Sequence, residues 1–253
     1  MLVILLKEIN AFLNSLIAYI VIAVFLTAMG LLLWVFPDTS ILQYGFADLS
    51  TMFFFAPYIF MFLIPAITMR SFAEEKKSGT MELLLTRPLS DWQIILGKYF
   101  SGCILVILAL LPTLLYYYTV YQLSLVEIKN AQNEVILAGN MDSSGIAGSY
   151  IGLLLLGAVF TAIGTFASSI SRDQIISFIT AVFLCFILYL GFGSLANIDN
   201  SADWAYLVMQ LGIDYHYSSM SKGLIDSRNV VYFVSVIALM LLATKLVLDS
   251  RKW

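Results

Sequence analysis

The chain has 253 residues, of which 61% are hydrophobic and only 11% are charged, with a formal net charge of −3 and a mean hydropathy of +0.93. Soluble domains average roughly 45–50% apolar and about 25% charged residues, so this composition argues against a soluble domain and predicts a polytopic membrane protein. The sequence has no Lys/Arg-rich run, which argues against a nucleic-acid-binding surface.

Residues 1–14 predict an amphipathic helix that lies in the membrane interface. Apolar residues recur there at helical spacing, while Lys7, Asn10 and Asn14 occupy another face. The alternative is that the first spanning helix simply begins early. Lys7 and Glu8 are the only charges before a full-length apolar run, which is not typical of a cleaved signal peptide, so we expect a retained segment.

Uncharged runs of about 18 or more residues predict six membrane-spanning helices. The sixth run contains Lys245, but close to one end, where the side chain reaches the interface. The runs do not alternate between apolar and polar residues, which argues against a β-barrel. The expected fold is all-α, a single transmembrane domain over 1–253 with spans at 15–36, 49–69, 99–121, 145–168, 174–195 and 230–248.

The basic residues predict the orientation in the membrane. Six spans place both termini on one side, and ten of the thirteen Lys and Arg residues share that side. Only Lys129, Lys222 and Arg228 lie opposite. Because basic residues concentrate on the cytoplasmic side of membrane proteins, we expect both termini and segment 70–93 in the cytoplasm.

The cytoplasmic stretch SFAEEKKSGTMELLLTRPLSDWQ, residues 71–93, interrupts the apolar sequence with four adjacent charges. We predict a folded helix–turn–helix elbow there. The second span continues to Lys77 and ends near Gly79. Thr80 then caps a second short helix, with Glu82 near the positive end of that helix.

The same elbow leads into the third span. Pro88 stops the short helix, because the residue before a proline disfavours helical geometry, and Ser90 with Gln93 forms a capping box. Mixed charges beside the apolar MELLL favour a protein-docking surface over a solvated loop, which is the alternative. The residues expected at this surface are Glu74, Glu75, Lys76, Lys77, Gly79, Thr80, Met81, Glu82, Leu84 and Leu85.

Small residues in the fourth span predict close helix packing. Gly148 and Gly152 are four residues apart, as are Ala158 and Ala162. Small residues at this spacing let two helices approach closely in a membrane. We therefore expect this span to pack tightly on a neighbour.

Two sizeable segments are expected on the outer side. Residues 122–144 are polar and predict a loop. Residues 199–229 carry apolar residues at helical spacing, which predicts a short helix that rests on the membrane or dips into it. The residues expected to form this outer gate segment are Trp204, Leu207, Leu211, Tyr215 and His216.

No catalytic, cofactor or metal site is expected in this chain. The central parts of the six spans contain no Asp, Glu, Lys, Arg or His, which disfavours an ion-coupled carrier. No G-x-x-x-x-G-K-[ST] motif occurs, so a nucleotide would be bound by another chain. Cys103 and Cys185 lie in apolar runs and are expected to pack, and His216 has no second ligand for a metal.

The stretch MRSFAEEKKSGTMELLLTRPLSDWQIILGKY resembles the loop between the second and third helices of ABC-2 type exporter permeases. In that family the pattern E-x-x-x-G-T-x-E-x-L-L-x-x-P-[LI]-S forms a coupling helix against the ATPase subunit. The matching residues are Glu75, Gly79, Thr80, Glu82, Leu84, Leu85, Pro88, Leu89 and Ser90. The interfacial helix, the six spans and the helical outer segment agree with the same fold.

Further stretches, among them ALLPTLLYYYTVYQL and LGIDYHYSSMSKGLIDSRNVVYF, are similar to the permease subunit of gliding-motility ABC transporters of Bacteroidetes. The resemblance implies a bacterial inner-membrane permease that works with a cytoplasmic ATPase dimer, which binds ATP and Mg. It also implies a second membrane subunit with an extracytoplasmic domain, or a second copy of this chain. Glu75 and Glu82 would be the polar contacts to the ATPase, and Met81 and Leu84 the apolar anchors.

Three functions stay open at this point. A permease subunit would couple ATP hydrolysis by its partner to transport or to force transmission, in gliding motility for the narrower resemblance. A membrane scaffold would dock the same cytoplasmic partner without moving a substrate. An ion-coupled carrier acting alone is disfavoured by the uncharged membrane interior. The sequence names no substrate.

Overall fold

The computed structural model describes residues 1–44, 48–81, 90–129, 135–139, 141–196 and 203–250. Within these ranges, six helical segments are long and apolar enough to cross a membrane. In chain order, spans 1 to 6 are Leu16–Trp34, Ser50–Lys77, Asp91–Leu123, Ser143–Ile170, Gln174–Ala196 and Ser227–Asp249. The all-α class predicted from the sequence is confirmed, with one small β-hairpin added to it.

The described part of the chain contains thirteen α-helices and two β-strands. In chain order they are α1 Leu2–Leu13, α2 Leu16–Trp34, α3 Ile41–Tyr44, α4 Ser50–Thr68, α5 Arg70–Lys77, α6 Asp91–Leu110, α7 Leu114–Leu123, β1 Leu125–Lys129, β2 Val135–Gly139, α8 Ser143–Ile170, α9 Gln174–Phe186, α10 Phe192–Ala196, α11 Asp203–Met209, α12 Ile213–Met220 and α13 Ser227–Asp249. A 3₁₀ turn at Leu111–Thr113 joins α6 to α7, and a π-helical turn at Ile187–Gly191 joins α9 to α10.

The N-terminal helix is separate from span 1. α2 begins after Ser15, whose hydroxyl accepts a hydrogen bond from the Ile17 amide at 3.3 Å and so caps the new helix. This confirms a distinct N-terminal helix and excludes a first span that simply begins early. α1 packs along α6, with Ile4 and Phe12 buried and Leu6 exposed.

Span 4 lies at the centre of the bundle. α8 contacts α4, α5, α6, α9, α12 and α13, and most of its residues are buried. Glycines permit this approach, because a Cβ on Gly164 would overlap the Thr68 hydroxyl and one on Gly157 would lie 2.9 Å from Val106 Cγ1. Spans 1, 5 and 6 are mostly exposed along apolar faces, as lipid-facing helices are.

The glycine pair of span 4 packs against the outer segment. A Cβ on Gly148 would lie 2.6 Å from the Gly223 carbonyl oxygen, and one on Gly152 would lie 2.7 Å from Met220 Cβ. Gly223 has a φ of +82°, and a Cβ there would lie 2.5 Å from Gly145 Cα. The predicted tight packing is therefore confirmed at these positions, and the neighbour is the turn that follows α12.

Residues 122–144 are not the loop that their polar composition predicted. After α7, β1 and β2 pair as an antiparallel hairpin, with Leu125 opposite Gly139 and Lys129 opposite Val135. The stretches LVEIK and VILAG are rich in β-branched residues, which favour extended strands. The strand preference of these residues outweighs the loop preference of the polar residues around them.

We expect Gly223→Ala to destabilise the protein. A φ of +82° is a left-handed conformation that alanine rarely adopts, and the new methyl group would meet the Gly145 backbone. The expected cost is roughly 1–3 kcal/mol, measured as a lower midpoint of thermal unfolding in detergent. Gly193→Ala is the matched control, because a Cβ there meets nothing within 4 Å. Equal midpoints for the two variants would contradict this packing.

Candidate functional site

The elbow begins as a continuation of span 2. α4 ends at Thr68, α5 covers Arg70–Lys77, and Gly79 follows with a φ of +71°. A glycine in the left-handed conformation just after the last turn is a common way for a helix to end. The predicted end of this helix is therefore confirmed.

The return into span 3 also follows the predicted pattern. The Ser90 hydroxyl accepts a hydrogen bond from the Gln93 amide at 3.4 Å, and Gln93 Oε1 accepts one from the Ser90 amide at 3.3 Å. This reciprocal arrangement is the predicted capping box. The short helix predicted just before it, with Glu82, Leu84 and Leu85, lies outside the described residues.

The longest exposed stretch among the described residues of the elbow is its tip, which we define as Lys77, Ser78, Gly79 and Thr80. The Ser78 hydroxyl donates to the Glu74 carbonyl oxygen at 2.9 Å and lies 2.8 Å from the Thr80 hydroxyl. Glu74 itself is exposed one turn earlier on α5. The tip is thus an accessible surface whose backbone is ordered by hydrogen bonds.

Glu75 and Met81 do not lie on that surface. The sequence predicted both as contacts to a partner protein, but they are only 9% and 5% exposed. Met81 belongs to an apolar cluster with Phe72 and Ile94, since burial of its thioether side chain is favourable. Glu75 is turned inward to pair with lysines. The buried positions of Glu75 and Met81 therefore argue against the predicted contacts of these two residues with a partner protein.

Glu75 belongs to a buried ion cluster, which we define as Lys7, Glu8, Glu75 and Lys98. Lys98 Nζ lies 2.8 Å from Glu8 Oε1 and 3.0 Å from Glu75 Oε2. Lys7 Nζ donates to Glu75 Oε1 at 2.9 Å. The Lys98 side chain is 1% exposed, and its ammonium also donates to the Ser71 carbonyl oxygen. The cluster therefore joins α1, α5 and α6.

Sequence reasoning placed Lys98 at the membrane surface and missed this pairing. α6 begins at Asp91, so Lys98 lies about two helical turns inside the helix. An unpaired buried charge costs several kcal/mol, so a lysine at this depth requires carboxylates beside it. The sequence did contain one indication of this pairing, because Glu8, Glu75 and Lys98 were all expected on the same side of the membrane.

Ser168, at the end of span 4, holds the beginning of α5 and was also missed. Where the helix is interrupted at Met69, the Ser168 hydroxyl donates to the Met69 carbonyl oxygen at 3.0 Å. It also accepts hydrogen bonds from the Phe72 amide at 2.9 Å and the Ala73 amide at 3.1 Å. A single buried hydroxyl thus satisfies backbone groups that would otherwise lack partners.

Two lysines extend the contact between α5 and the end of span 4. Lys76 donates to the Ser169 carbonyl oxygen, and Lys77 Nζ lies 2.8 Å from Asp173 Oδ2. The hydrogen bond from Lys77 holds the pKa of Asp173 below its usual value, and the hydrogen bond from the Ile175 amide adds to this effect. Lys77 is exposed, so this pair contributes little to stability and mainly fixes where the tip lies.

The outer gate segment consists of two short helices, where the sequence predicted one. α11 ends at Met209 and α12 begins at Ile213, so Leu211 lies in the turn between them. Trp204 and Leu207 on α11 are exposed, as is Leu211. Exposed apolar side chains agree with a segment that rests on the membrane, and the gating role stays a prediction.

His216, another residue of the predicted gate segment, joins the outer helices to span 6. Its Nδ1 lies 2.8 Å from Asn229 Oδ1, and its Nε2 lies 2.9 Å from the Gln210 carbonyl oxygen. The imidazole stacks on Tyr232, with 3.8 Å between ring centroids. Tyr215 is half-buried and packs edge-on against the His216 ring. These contacts fix the outer segment rather than leave it loose.

Buried tyrosines lie beneath the outer segment. The Tyr217 hydroxyl donates to the Phe53 carbonyl oxygen at 2.8 Å, which connects α12 to span 2. Tyr217 also contacts Tyr189, in the π-helical turn of span 5, with 6.4 Å between centroids. Tyr189 contacts Tyr58 of span 2 at 6.1 Å. These contacts connect the outer helix α12 to spans 2 and 5.

Ser168→Ala should loosen the attachment of α5, because the Met69 carbonyl and the Phe72 and Ala73 amides would lose their partner. A buried backbone group without a partner costs about 1–3 kcal/mol, so we expect a lower unfolding midpoint and faster proteolysis within the elbow. The control is Ser169→Ala, whose hydroxyl donates to the Phe166 carbonyl oxygen of its own helix. Equal proteolysis of the two variants would show that Ser168 does not hold the elbow.

Lys98→Met should destabilise the protein by roughly 1–3 kcal/mol, because the Glu8 and Glu75 carboxylates lose a buried partner and keep only Lys7 beside them. The unfolding midpoint in detergent measures this loss. Adding Glu75→Gln should recover part of it, since two carboxylates then no longer share the single Lys7 ammonium. Lys245→Met is the control, because its ammonium lies at the end of span 6, 5.4 Å from the Trp92 ring centroid. A double variant no more stable than Lys98→Met would contradict the pairing.

The comparison with known families agrees with this architecture. A family model described as ABC-2 family transporter protein matches residues 37–248, which is most of the chain. No curated protein matches the chain at a significant level. The match covers spans 2 to 6 and the elbow with its tip. The chain therefore belongs to the ABC-2 family of transporter proteins as a multi-pass permease subunit, and this membership implies an ABC ATPase as its partner.

Proposed function

We propose that an ATPase subunit docks on the tip of the elbow and that the permease passes the energy of ATP hydrolysis to its spans, for transport or for force transmission. The observation that carries the proposal is the position of residues 77–80, which are exposed, ordered, continuous with span 2 and paired through Lys77 with Asp173 at the start of span 5. The chain has no G-x-x-x-x-G-K-[ST] motif, so the partner would bind ATP and Mg.

The docking contacts differ from those that the family pattern alone implies. With Glu75 and Met81 buried, the accessible polar side chains of residues 74–81 are those of Glu74, Lys77, Ser78 and Thr80. The other residues predicted to contact the partner, Glu82, Leu84 and Leu85, follow directly in the sequence. An interface that combines a few charges with an apolar stretch gives both orientation and affinity to a docked helix.

A displacement of the tip would move several helices together. α5 is fixed to α8 by Ser168 and Lys76, and to α6 and α1 by the ion cluster. Close-packed helices shift as rigid pieces rather than deform. α8 in turn packs on the outer segment where Gly148 meets Gly223, so a movement on one side of the membrane would reach the other.

The finer assignment rests on the sequence resemblance. We infer a bacterial inner-membrane protein with both termini in the cytoplasm, acting in a gliding-motility transporter. Its membrane partner would be a second subunit with an extracytoplasmic domain, or a second copy of this chain. The excess of basic residues on the side of the elbow supports the orientation. Purification of the native complex and identification of its subunits would test the subtype and the pairing.

Gly79→Pro should uncouple the permease from its ATPase, because proline cannot adopt the φ of +71° that the tip requires. We expect stimulation of ATPase activity in the reconstituted complex to fall about tenfold or more, as a loss of roughly 1.4 kcal/mol in docking free energy would produce. Glu82→Lys should act in the same direction by reversing a predicted docking charge. Membrane insertion should be unchanged for both variants.

The control for this experiment is Gly79→Asn. Asparagine tolerates the left-handed conformation, and a Cβ at Gly79 meets nothing within 4 Å, so stimulation should stay close to wild type. Stimulation that is unchanged in Gly79→Pro and in Glu82→Lys would rule out the elbow as the coupling site. ATP turnover in sealed vesicles that moves no molecule across the membrane would instead favour a non-transporting scaffold.

A further inference from the structure

A polar cavity lies beside the elbow, between α1, the junction of α4 with α5, and α6. Its volume is about 130 Å³, whereas one water molecule needs roughly 10–15 Å³ by the same measure. Arg70, Ser71 and Glu74 of α5 line it, and Ile67 and Leu105 line the part that lies further into the spans. The cavity thus combines a polar wall at the elbow with an apolar wall toward the membrane.

Two polar atoms in this wall have no hydrogen-bond partner within the described part of the chain. They are Ser71 Oγ and Arg70 Nε, and both are inaccessible to solvent. Ser71 is only 8% exposed, and the Arg70 guanidinium uses a different N–H to reach Ser15 Oγ at 3.0 Å. Buried polar groups are nearly always paired, and a small shift of the Arg70 and Ser71 side chains would bring this N–H and this hydroxyl to the acceptor oxygens of a ligand in the cavity.

The charged residues around the cavity fall into two groups: the members of the ion cluster, which pair with one another, and Arg70 and Glu74, which form no ion pair within the described residues. The ion cluster already combines two carboxylates with two ammonium groups. Arg70 and Glu74 are four residues apart on α5 and both line the cavity. Across the residues that the structure describes, no ion pair forms between these two or with any other charged side chain. The cavity therefore presents one positive and one negative group to a ligand.

We propose that this cavity binds the phosphoethanolamine headgroup of a membrane lipid. The phosphate oxygens would accept hydrogen bonds from Arg70 and Ser71, and the ammonium group would donate to the Glu74 carboxylate. A zwitterion matches both charges at once. A purely anionic headgroup would place a negative charge near Glu74 and Glu8 with no ammonium of its own to offset them.

The shape of the site favours a lipid over a soluble phosphoethanolamine. Ile67 and Leu105 close the cavity on the side of the spans, which is the side from which the acyl chains of a lipid would approach. Phe12 of α1 lines the same cavity. Leu2 and Leu6 of α1 are exposed, which agrees with the predicted position of that helix in the membrane interface.

The test is native mass spectrometry of the full chain released from nanodiscs that contain equal amounts of phosphatidylethanolamine, phosphatidylcholine and phosphatidylglycerol. We expect retained phosphatidylethanolamine in about tenfold or greater excess over the other two, because hydrogen bonds to charged groups are the strong ones. Phosphatidylcholine has no N–H to donate to Glu74, and phosphatidylglycerol has no ammonium group. The measurement needs no ATPase, so its outcome is independent of the proposed coupling function.

Variants of the residues that line the cavity test whether the lipid binds there. Arg70→Gln and Ser71→Ala should lower retention of phosphatidylethanolamine about tenfold, because each removes a donor to the phosphate. Glu74→Gln should abolish the preference over phosphatidylcholine in particular, since it removes the partner of the ammonium group. Arg228→Gln is the matched control, because Arg228 is exposed at the opposite end of the bundle and should leave retention unchanged.

Several results would overturn the proposal. Equal retention of phosphatidylethanolamine and phosphatidylcholine would remove the role of Glu74, and a preference for phosphatidylglycerol would indicate an ordinary anion site. Recovery of the chain with no retained lipid would indicate a cavity filled by water. Displacement of the lipid by equimolar soluble phosphoethanolamine would refute the lipid assignment. Should Arg70→Gln fail to fold, the exposed Glu74→Gln still decides the question.

Discussion

The burial of the Lys98 ammonium constrains how α1, α5 and α6 pack together beside the elbow. A charge that is 1% exposed costs several kcal/mol unless carboxylates lie beside it. Glu8 and Glu75 supply them at 2.8 and 3.0 Å, and these residues belong to α1 and α5. Movement of α1 or α5 away from α6 would therefore remove one of the two carboxylates that stabilise this buried charge. The three helices form one mechanical unit for this reason.

The same constraint explains which side chains of residues 70–81 are accessible. Pairing with Lys98 turns Glu75 inward, and Met81 is buried against Phe72, so within this part of the elbow Glu74 and the tip remain on the outside. The opposite face of α5 is held by the Ser168 hydroxyl. A docking surface that is exposed on one side and anchored on the other transmits a displacement with little internal deformation.

The sequence predicted those features of the fold that depend on residues close together in the chain. The capping box at Ser90, the helix end at Gly79 and the six apolar spans each follow from a short local pattern. The contacts of Lys98 with Glu8 and of Ser168 with Phe72 join residues 90 and 96 positions apart, and no local pattern encodes them. The family pattern included Glu75 without indicating whether its carboxylate faces a partner or the interior. The hairpin was missed because polar composition was given more weight than β-branched content.

The proposed lipid site shares a wall with the ion cluster, since Lys98 and Glu8 line the same cavity as Arg70. A ligand bound there contacts α1, α5 and α6 at once. If docking at the tip changes the spacing of these helices, it also changes the affinity for the headgroup, and by linkage the headgroup changes the free energy of docking by the same amount. A ligand with equal affinity for both arrangements would shift nothing. Regulation by lipid therefore requires the cavity to differ in size between the docked and undocked permease.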